Sequence, residues 1–266
     1  MSGAPKPTPG PAQWGDLLPR LLSGVAMVAV GAVAIWLGGA VFEALAVAIA
    51  GLMTWELVRM IRPRHRRAAV QEGALAAVAL AIALYVPGGV AAIILGILLV
   101  VLVGRTGAHP VLTAGYGAAI FLGAYGLVML RNDAGLIWTL WLVAVVVVTD
   151  VAGYFAGRII GGPKFWPRVS PKKTWAGTVA GWIAAAAVSA WMQFQFGLPV
   201  WLIAAGVGLS FASQMGDAAE SVLKRRMKVK DSSNLIPGHG GAMDRFDAMM
   251  GAALAVALSM ILAGVA

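Results

Sequence analysis

Long apolar stretches follow one another through almost the whole chain, and this pattern limits the fold more than any other feature. Of the 266 residues, 60% are hydrophobic and only 12% are charged, whereas about a quarter of a soluble domain is charged. A helix needs about 20 mostly apolar residues to cross a bilayer. The sequence therefore predicts an all-α fold, a polytopic integral membrane helix bundle, and not a water-soluble core.

Nine segments are apolar enough to be predicted as transmembrane helices. The third and fourth are the shortest, and the Pro87-Gly88-Gly89 sequence between them is either a tight turn or a kink in one long span, which would leave eight. Small residues four apart in later spans, such as Gly153 and Gly157, are typical of close helix packing. The predicted spans cover residues 21–38, 41–60, 73–87, 89–104, 111–130, 136–157, 175–196, 199–220 and 248–265.

The distribution of Lys and Arg favours nine spans with a cytoplasmic N-terminus. Basic loops of membrane proteins stay predominantly on the cytoplasmic side. Nine spans place nineteen of the twenty basic residues on that side and only Arg131 outside, whereas eight spans divide the basic groups between the two sides. We expect a protein of the cytoplasmic (inner) membrane whose active site faces the cytoplasm.

This pattern divides the chain into three regions. The Pro-rich residues 1–20 are predicted to be a disordered cytoplasmic tail, because they lack the apolar segment and cleavage site of a signal peptide. Residues 21–135 are expected to form N-terminal transmembrane helices. Residues 136–266 are expected to form a catalytic transmembrane region with cytoplasmic loops at 158–174 and 221–247.

Composition excludes several kinds of chemistry. The chain contains no cysteine, which rules out disulfides, thiolate metal sites and a cysteine nucleophile. The net charge of +9 would suggest nucleic acid as the partner of a soluble protein. Here the basic residues flank membrane spans, so we expect the lipid bilayer as a partner and no nucleic acid.

Asp150 is the first candidate functional residue, because it lies inside a predicted span. An ionised acid at the centre of a transmembrane helix costs roughly 2.5–3.5 kcal/mol, so such a residue is usually functional. Asp150 is either a substrate-binding residue or a buried acid that holds a partner. Tyr154, four residues later on the same helix face, is a candidate for that partner.

A basic segment follows this span. The run from Ser170 to Thr174 is predicted to begin a helix, with Ser170 or Thr174 as the cap and a proline in the first turn. Free N–H groups at a helix start, together with Lys172 and Lys173, form an anion site. Alternatively, the two lysines face anionic lipid head groups.

The residues from 216 to 247 contain five of the eleven acids and six of the twenty basic residues. On a helix that continues the eighth span, Asp217, Glu220 and Lys224 share one face. Glu220 and Lys224 alone would form an ordinary surface ion pair worth a few tenths of a kcal/mol. Asp217 lies deeper, with no basic residue in the six positions after it, and needs another partner.

A glycine-rich turn precedes the last span. Its glycines allow backbone N–H groups to approach an anion closely, and His239 within it contacts phosphate or metal or serves the turn geometry. Asp244 and Asp247 share a helix face, where the helix dipole alone would stabilise either. Together with Asp217 they would need a cation, and an oxygen-only ligand set favours Mg²⁺.

These segments resemble a known family. The run Ser221-x-x-Lys224-Arg225, Lys230-Asp231 and Leu235-Ile236-Pro237-Gly238-His239-Gly240-Gly241-x-x-Asp244-Arg245-x-Asp247 is similar to the C-terminal motif of the phosphatidate cytidylyltransferase (CDP-diacylglycerol synthase) family. Asp150-x-x-x-Tyr154-x-x-Gly157-Arg158 and Ser170-Pro171-Lys172-Lys173-Thr174-x-x-Gly177 match the same family further upstream. The strong match covers roughly residues 150–250; the earlier spans match only in being apolar.

The resemblance implies a metal-dependent membrane nucleotidyltransferase of phospholipid biosynthesis, which forms CDP-diacylglycerol and pyrophosphate from CTP and phosphatidic acid. It implies Mg²⁺ as cofactor, with K⁺ as a candidate second cation, and a homodimer is a candidate assembly. By position, Asp217 and Asp244 would be metal ligands, with Lys224 and Asp247 completing the catalytic set. Substrate-binding residues would be Asp150, Ser170, Lys172, Lys173, Arg225, Lys230, His239, Gly240, Gly241 and Arg245.

Two other functions are compatible with the sequence. One is a related CTP-dependent transferase or kinase that acts on another membrane lipid. The other is a cation-coupled secondary transporter, but transporters usually place their carboxylates in broken helices at the middle of the membrane. In this chain the acids cluster with lysines and a glycine turn at one predicted membrane surface, which favours a nucleotide site.

Overall fold

The computed structural model describes residues 17–264 except residue 168, and this part of the chain folds into nine α-helices with one small β-hairpin. A π-helical turn, Leu130–Ala134, follows the fifth helix. The helices are α1 Leu17–Leu37, α2 Gly39–Ile61, α3 Arg66–Ala83, α4 Gly88–Thr106, α5 Pro110–Met129, α6 Leu136–Ile159, α7 Trp175–Phe196, α8 Leu202–Arg226 and α9 Met243–Leu262. The predicted all-α bundle is confirmed.

Seven of these helices are long and apolar enough to cross a membrane, which makes the chain an integral membrane protein. They are α1, α2, α4, α5 with its π-turn, α6, α7 and α9. The helix α3 begins at Arg66 and includes charged residues before the predicted span at 73. The helix α8 continues to Arg226, beyond the predicted end at residue 220, and its second half is polar. The helices α3 and α8 are therefore less apolar than the predicted third and eighth spans.

The ends of the helices test two of the predicted segment boundaries. Separate helices α3 and α4, with Pro87 as the N-cap of α4, show that residues 84–87 form a turn and not a kink. Within the predicted tail, residues 17–20 belong to α1, so the tail prediction is wrong for them. The rest of that tail, residues 1–16, lies outside the described residues.

The β-hairpin was not predicted. Strand β1, Lys164–Trp166, pairs antiparallel with strand β2, Ser170–Thr174. The helix was expected to begin at Ser170, but it begins after the strand, and Thr174 is its N-cap: the Thr174 hydroxyl accepts a hydrogen bond of 3.2 Å from the Gly177 N–H. The cap at Thr174 is confirmed, and the helical placement of Ser170 is corrected to a strand.

Glycines allow close contact between neighbouring helices at two crossings. A Cβ added to Gly177 of α7 would lie 2.5 Å from the carbonyl oxygen of Gly153 and 3.3 Å from the Cα of Gly157, both in α6. At the second crossing, a Cβ on Gly216 of α8 would lie 3.0 Å from the Cα of Gly251 in α9 and would overlap the Asp247 carbonyl oxygen. The predicted packing role of these small residues in α6 and α7 is confirmed.

The helix α9 joins the two main parts of the core. On one side it packs against α5, and its Met250 belongs to an apolar cluster with α2, α3, α4 and α5. On the other side it packs against α8, and its Ala248 and Ala252 belong to a cluster with α6, α7 and α8. Residues near the start of α9 are therefore held by both halves of the bundle.

We predict that Gly216→Ala destabilises the protein, whereas Gly208→Ala in the same helix does not. The new methyl group at 216 would overlap α9, and overpacking of this kind typically costs about 1–3 kcal/mol. At Gly208 a Cβ meets nothing within 4 Å in the part of the chain that the structure describes, and alanine is the better helix former. Thermal unfolding of the detergent-purified variants measures the difference. Equal midpoints for the two variants would contradict the close α8–α9 contact.

Candidate functional site

Three carboxylates from two helices meet at the α8–α9 crossing. Asp217 and Glu220 lie one turn apart on α8, and Asp247 lies in the second turn of α9. One oxygen from each group lies within 4.8 Å of the others. The close backbone approach at Gly216 makes this possible, because it brings the first turns of α9 directly against the polar half of α8. We call these three residues the carboxylate cluster.

The carboxylate cluster fits a cation. The Glu220 side chain is 1% exposed, and its Oε1 has no hydrogen-bond partner among the described residues. A buried carboxylate oxygen without a partner is costly, and three acids at this distance repel one another. A positive ion bound to these oxygens would relieve both effects. With only oxygen ligands in the carboxylate cluster, a hard divalent cation suits the site best.

Lys224 connects the carboxylate cluster to Asp244 of α9. Its Nζ lies 2.6 Å from Glu220 Oε2 and 2.7 Å from Asp244 Oδ1. Burial disfavours its ammonium, but the hydrogen bonds to Asp244 and Glu220 outweigh burial and raise the pKa of Lys224 above its usual value. The lysine is therefore charged at neutral pH and fixes the positions of two carboxylates at once.

Asp244 organises the loop before α9. Its Oδ2 accepts hydrogen bonds of 2.8 Å from the Ser232 N–H, the Ser232 hydroxyl and the Gly241 N–H. Its other oxygen is held by Lys224. Asp244 is thus surrounded by donors and is not a member of the carboxylate cluster. Its assignment as a metal ligand stays a prediction, and in this structure Glu220 and Asp247 are the acids grouped with Asp217.

The hairpin brings a lysine to the carboxylate cluster. Lys173, near the end of β2, forms an ion pair with Asp217 and donates a hydrogen bond of 3.2 Å to the Gln214 carbonyl oxygen. Asp150 of α6 is close enough to Asp217 and Lys173 to interact with both electrostatically. The suggested Asp150 partner, Tyr154, instead accepts a 2.7 Å hydrogen bond from Arg158.

The glycine turn is fastened to α1 and α9. The Ser23 hydroxyl of α1 donates to the Pro237 carbonyl oxygen at 3.0 Å and lies 2.8 Å from His239 Nδ1. Arg245 Nε donates to the His239 carbonyl oxygen at 2.8 Å. Gly240 has a φ of +83°, which favours glycine. These contacts place the predicted substrate-binding residues of this turn at the same end of the bundle as the carboxylate cluster.

The remaining predicted phosphate-binding residues are mostly exposed. Lys172, Arg225 and Lys230 are exposed, and Ser170 is half-buried in β2. Ser170 and Lys172 lie on the hairpin, Arg225 lies at the end of α8, and Lys230 lies in the loop that follows α8. Their substrate contacts stay predictions.

Glu56 of α2 is an essential part of this region that the sequence analysis missed. The side chain is fully buried. Its Oε1 accepts hydrogen bonds from the Ser233 hydroxyl at 2.6 Å and the Ala242 N–H at 2.9 Å, and its Oε2 accepts from the Met243 N–H at 2.6 Å. Glu56 therefore caps the start of α9 from another helix. The signal was available, because Glu56 is an acid inside an apolar span, as Asp150 is.

Comparison with known proteins supports one family. The family model of the cytidylyltransferase family matches residues 18–263. The phosphatidate cytidylyltransferase of Brucella suis biovar 1 (strain 1330) is 45% identical over 140 residues, which cover 49% of this chain and 50% of that protein. That of Bacillus subtilis (strain 168) is 38% identical over 140 residues, covering 50% and 52%.

A third relative, the phosphatidate cytidylyltransferase of Staphylococcus haemolyticus (strain JCSC1435), is 43% identical over 123 residues, covering 45% of this chain and 47% of that protein. The chain thus spans about half the length of the curated relatives it matches. The family match, by contrast, extends over every helix from α1 to α9 and includes the carboxylate cluster. The resemblance noted in the sequence is confirmed, and the chain belongs to the cytidylyltransferase family.

Proposed function

We propose that the protein is a phosphatidate cytidylyltransferase, which joins CTP and phosphatidic acid to form CDP-diacylglycerol and pyrophosphate. The observation that carries this proposal is the carboxylate cluster, Asp217, Glu220 and Asp247, with Lys173 and Lys224 bound to it. Acids and lysines interleaved in this way suit a triphosphate with its metal. The names of the relatives support phosphatidate as the lipid partner.

The reaction needs little proton transfer. An oxygen of the lipid phosphate monoester attacks the α-phosphorus of CTP, a new P–O bond forms, and the bond to the bridging oxygen breaks so that pyrophosphate leaves. The second pKa of such a monoester is about 6, so the nucleophile is already ionised at neutral pH. Catalysis then consists mainly of positioning and charge neutralisation, which agrees with a site built from acids and lysines.

We propose that Asp217, Glu220 and Asp247 hold Mg²⁺, with K⁺ as a candidate second cation. When bound there, Mg²⁺ supplies neutralisation of the triphosphate charge during displacement. The buried, unpartnered Glu220 Oε1 supports this assignment, as does the absence of cysteine, which leaves hard oxygen donors. Asp244 is assigned the supporting role of holding Lys224 and the loop before α9.

The lysines and the glycine turn are proposed to bind the substrate phosphates. Lys173 already contacts the carboxylate cluster, so a triphosphate bound there would lie within its reach. Lys172 is exposed on the same strand. Ser170, Arg225, Lys230, His239, Gly240, Gly241, Arg245 and Asp150 are proposed to complete the substrate contacts. Because CTP is a cytoplasmic nucleotide, we place this end of the bundle at the cytoplasmic face of the inner membrane.

A direct assay tests the activity. Purified protein is incubated with labelled CTP and phosphatidic acid, and we expect pyrophosphate release that requires both the lipid and Mg²⁺. Release with another membrane lipid but not with phosphatidic acid would favour the related lipid transferase or kinase. No release with any lipid tested would contradict the proposal and leave cation transport as the alternative. The expected homodimer is tested separately, by measuring the mass of the purified protein in detergent.

We predict that Glu220→Gln reduces turnover by about 100-fold or more, since even groups that only support metal ligands contribute 10–100-fold. The apparent Mg²⁺ requirement should rise as well, because the amide removes one negative charge from the carboxylate cluster. Asp133→Asn, an exposed acid in the π-turn before α6, is the control and should leave both quantities unchanged. Near-normal turnover and Mg²⁺ dependence in Glu220→Gln would show that the metal lies elsewhere.

We predict that Asp244→Asn removes nearly all activity while the protein still inserts and purifies normally. The Mg²⁺ requirement of any residual activity separates its two roles. If Asp244 orders Lys224 and the loop, the residual activity keeps the wild-type Mg²⁺ dependence. If Asp244 is a ligand, that dependence shifts as in Glu220→Gln. Near-normal turnover would show that neither role is needed.

We predict that Lys172→Ala combined with Lys173→Ala raises the apparent KM for CTP. Loss of one hydrogen bond to a charged group costs about 1.5–3 kcal/mol. This corresponds to a rise in the apparent KM of about tenfold or more. Lys173→Ala alone should account for most of the effect, since Lys173 contacts the carboxylate cluster. Lys164→Ala, on β1 of the same hairpin, is the control and should not change the KM. An unchanged CTP dependence in the double variant would indicate lysines that face lipid.

A further inference from the structure

An apolar cavity of about 420 Å³ lies between α1, α2, α5, α6 and α9. Its volume is within the roughly 300–1,000 Å³ typical of small-molecule sites. On α9 it is lined by Phe246, Met249, Met250 and Ala253, which recur at helical spacing along one face. Asp247 and Gly251 point away from that face, towards α8. The cavity is therefore separate from the carboxylate cluster, on a neighbouring face of the same helix.

The lining gives an occupant almost no polar contact. Among the described residues that line it, Thr139 alone has a polar side chain, and its hydroxyl donates a hydrogen bond of 3.1 Å to the carbonyl oxygen of Gly135, the N-cap of its helix. Apolar cavities of this kind exclude water and take up apolar ligands. The occupant that the lining selects is a hydrocarbon.

The cavity is long in the direction of the helices. On α9 its lining extends from Ala242 to Ala253, about 16 Å at the rise of an α-helix. On α1 it extends from Ala26 to Ile35. An elongated cavity parallel to the spans matches the shape of one extended lipid chain.

One end of the cavity carries positive charge. Ile236 and Ala242 line this end, and the Ile236 carbonyl oxygen accepts a hydrogen bond of 2.9 Å from the His239 N–H. Ser23, one turn before Ala26, contacts the His239 side chain, and Arg245 contacts the His239 carbonyl oxygen. The α1 residue Arg20 lies against Gly238. An anionic group attached to the chain would be matched at this end.

We propose that the cavity holds one acyl chain of the anionic lipid substrate, with the lipid phosphate at the end formed by Arg20, His239 and Arg245. The identity of that lipid as substrate rests on the function proposed above. The α1 wall is open to lipid: 6% of its apolar window is buried, compared with 22–50% in the other six candidate spans. A chain can thus enter beside α1 directly from the bilayer.

The test uses a matched pair of glycine substitutions. A Cβ at Gly31 of α1 or at Gly96 of α4 meets no described residue within 4 Å, but of the two only Gly31 lines the cavity. Gly31→Leu should raise the apparent KM for a long-chain phosphatidate about tenfold. This is the effect expected if the new side chain displaces roughly two methylene groups of the bound acyl chain from the cavity. The KM for a dihexanoyl lipid and for CTP should not change. Gly96→Leu should change none of these values.

A second readout does not depend on turnover. A phosphatidate with a photoactivatable diazirine near the end of one acyl chain should label peptides of α1 and α9 that contain Met27 and Met249, and Gly31→Leu should reduce this labelling. Labelling without CDP-diacylglycerol formation would overturn the proposed reaction but retain the lipid site. Labelling confined to other helices, or a long-chain KM unaffected by Gly31→Leu, would overturn the cavity assignment.

Discussion

The contact between α8 and α9 determines where the acids of this protein can lie. Gly216 and Gly251 remove the side chains that would keep the two helices apart, so the backbones approach until an added Cβ would overlap the opposite helix. This approach brings a carboxylate oxygen of Asp247 in α9 within 4.8 Å of one from Asp217 and one from Glu220 in α8, close enough for all three to bind one ion. Without it, three buried or half-buried carboxylates would lack a common centre, and a single cation could not bind them together.

A second layer of polar contacts keeps the start of α9 in place. Glu56 caps the first N–H groups of α9 from α2, while Asp244 binds the loop and Lys224 on the α8 side. A charged residue that is buried and removed from its partners costs several kcal/mol, so these acids stabilise only this arrangement of loop and helices. The loop at the polar end of the bundle is thus specified by α2 and α8 together, and its glycine turn is bound by Asp244, which shares Lys224 with the carboxylate cluster.

Much of this architecture could be predicted from the sequence, because apolar length and charge asymmetry are strong signals in membrane proteins. The nine helices, the cap at one of two named residues and the need of Asp217 for a distant partner followed from local pattern alone. Local pattern could not predict which residues each of the acids contacts. Asp244 and Asp247 share a helix face, and only the tertiary position of Lys224 and Ser232 separates their contacts. The hairpin at 164–174 and the reach of Glu56 across 186 residues to Ala242 likewise depend on the folded bundle.

The central claim is that Asp217, Glu220 and Asp247 form one binding site for a divalent cation. A crystal structure of the protein with Mn²⁺ in place of Mg²⁺, with the ion located by its anomalous scattering, tests this claim most directly. We predict an anomalous peak within coordination distance of all three carboxylates, with Asp244 still bound to Lys224 and Ser232. A peak coordinated by Asp244 without Glu220 and Asp247, or no peak at the α8–α9 crossing, would contradict it.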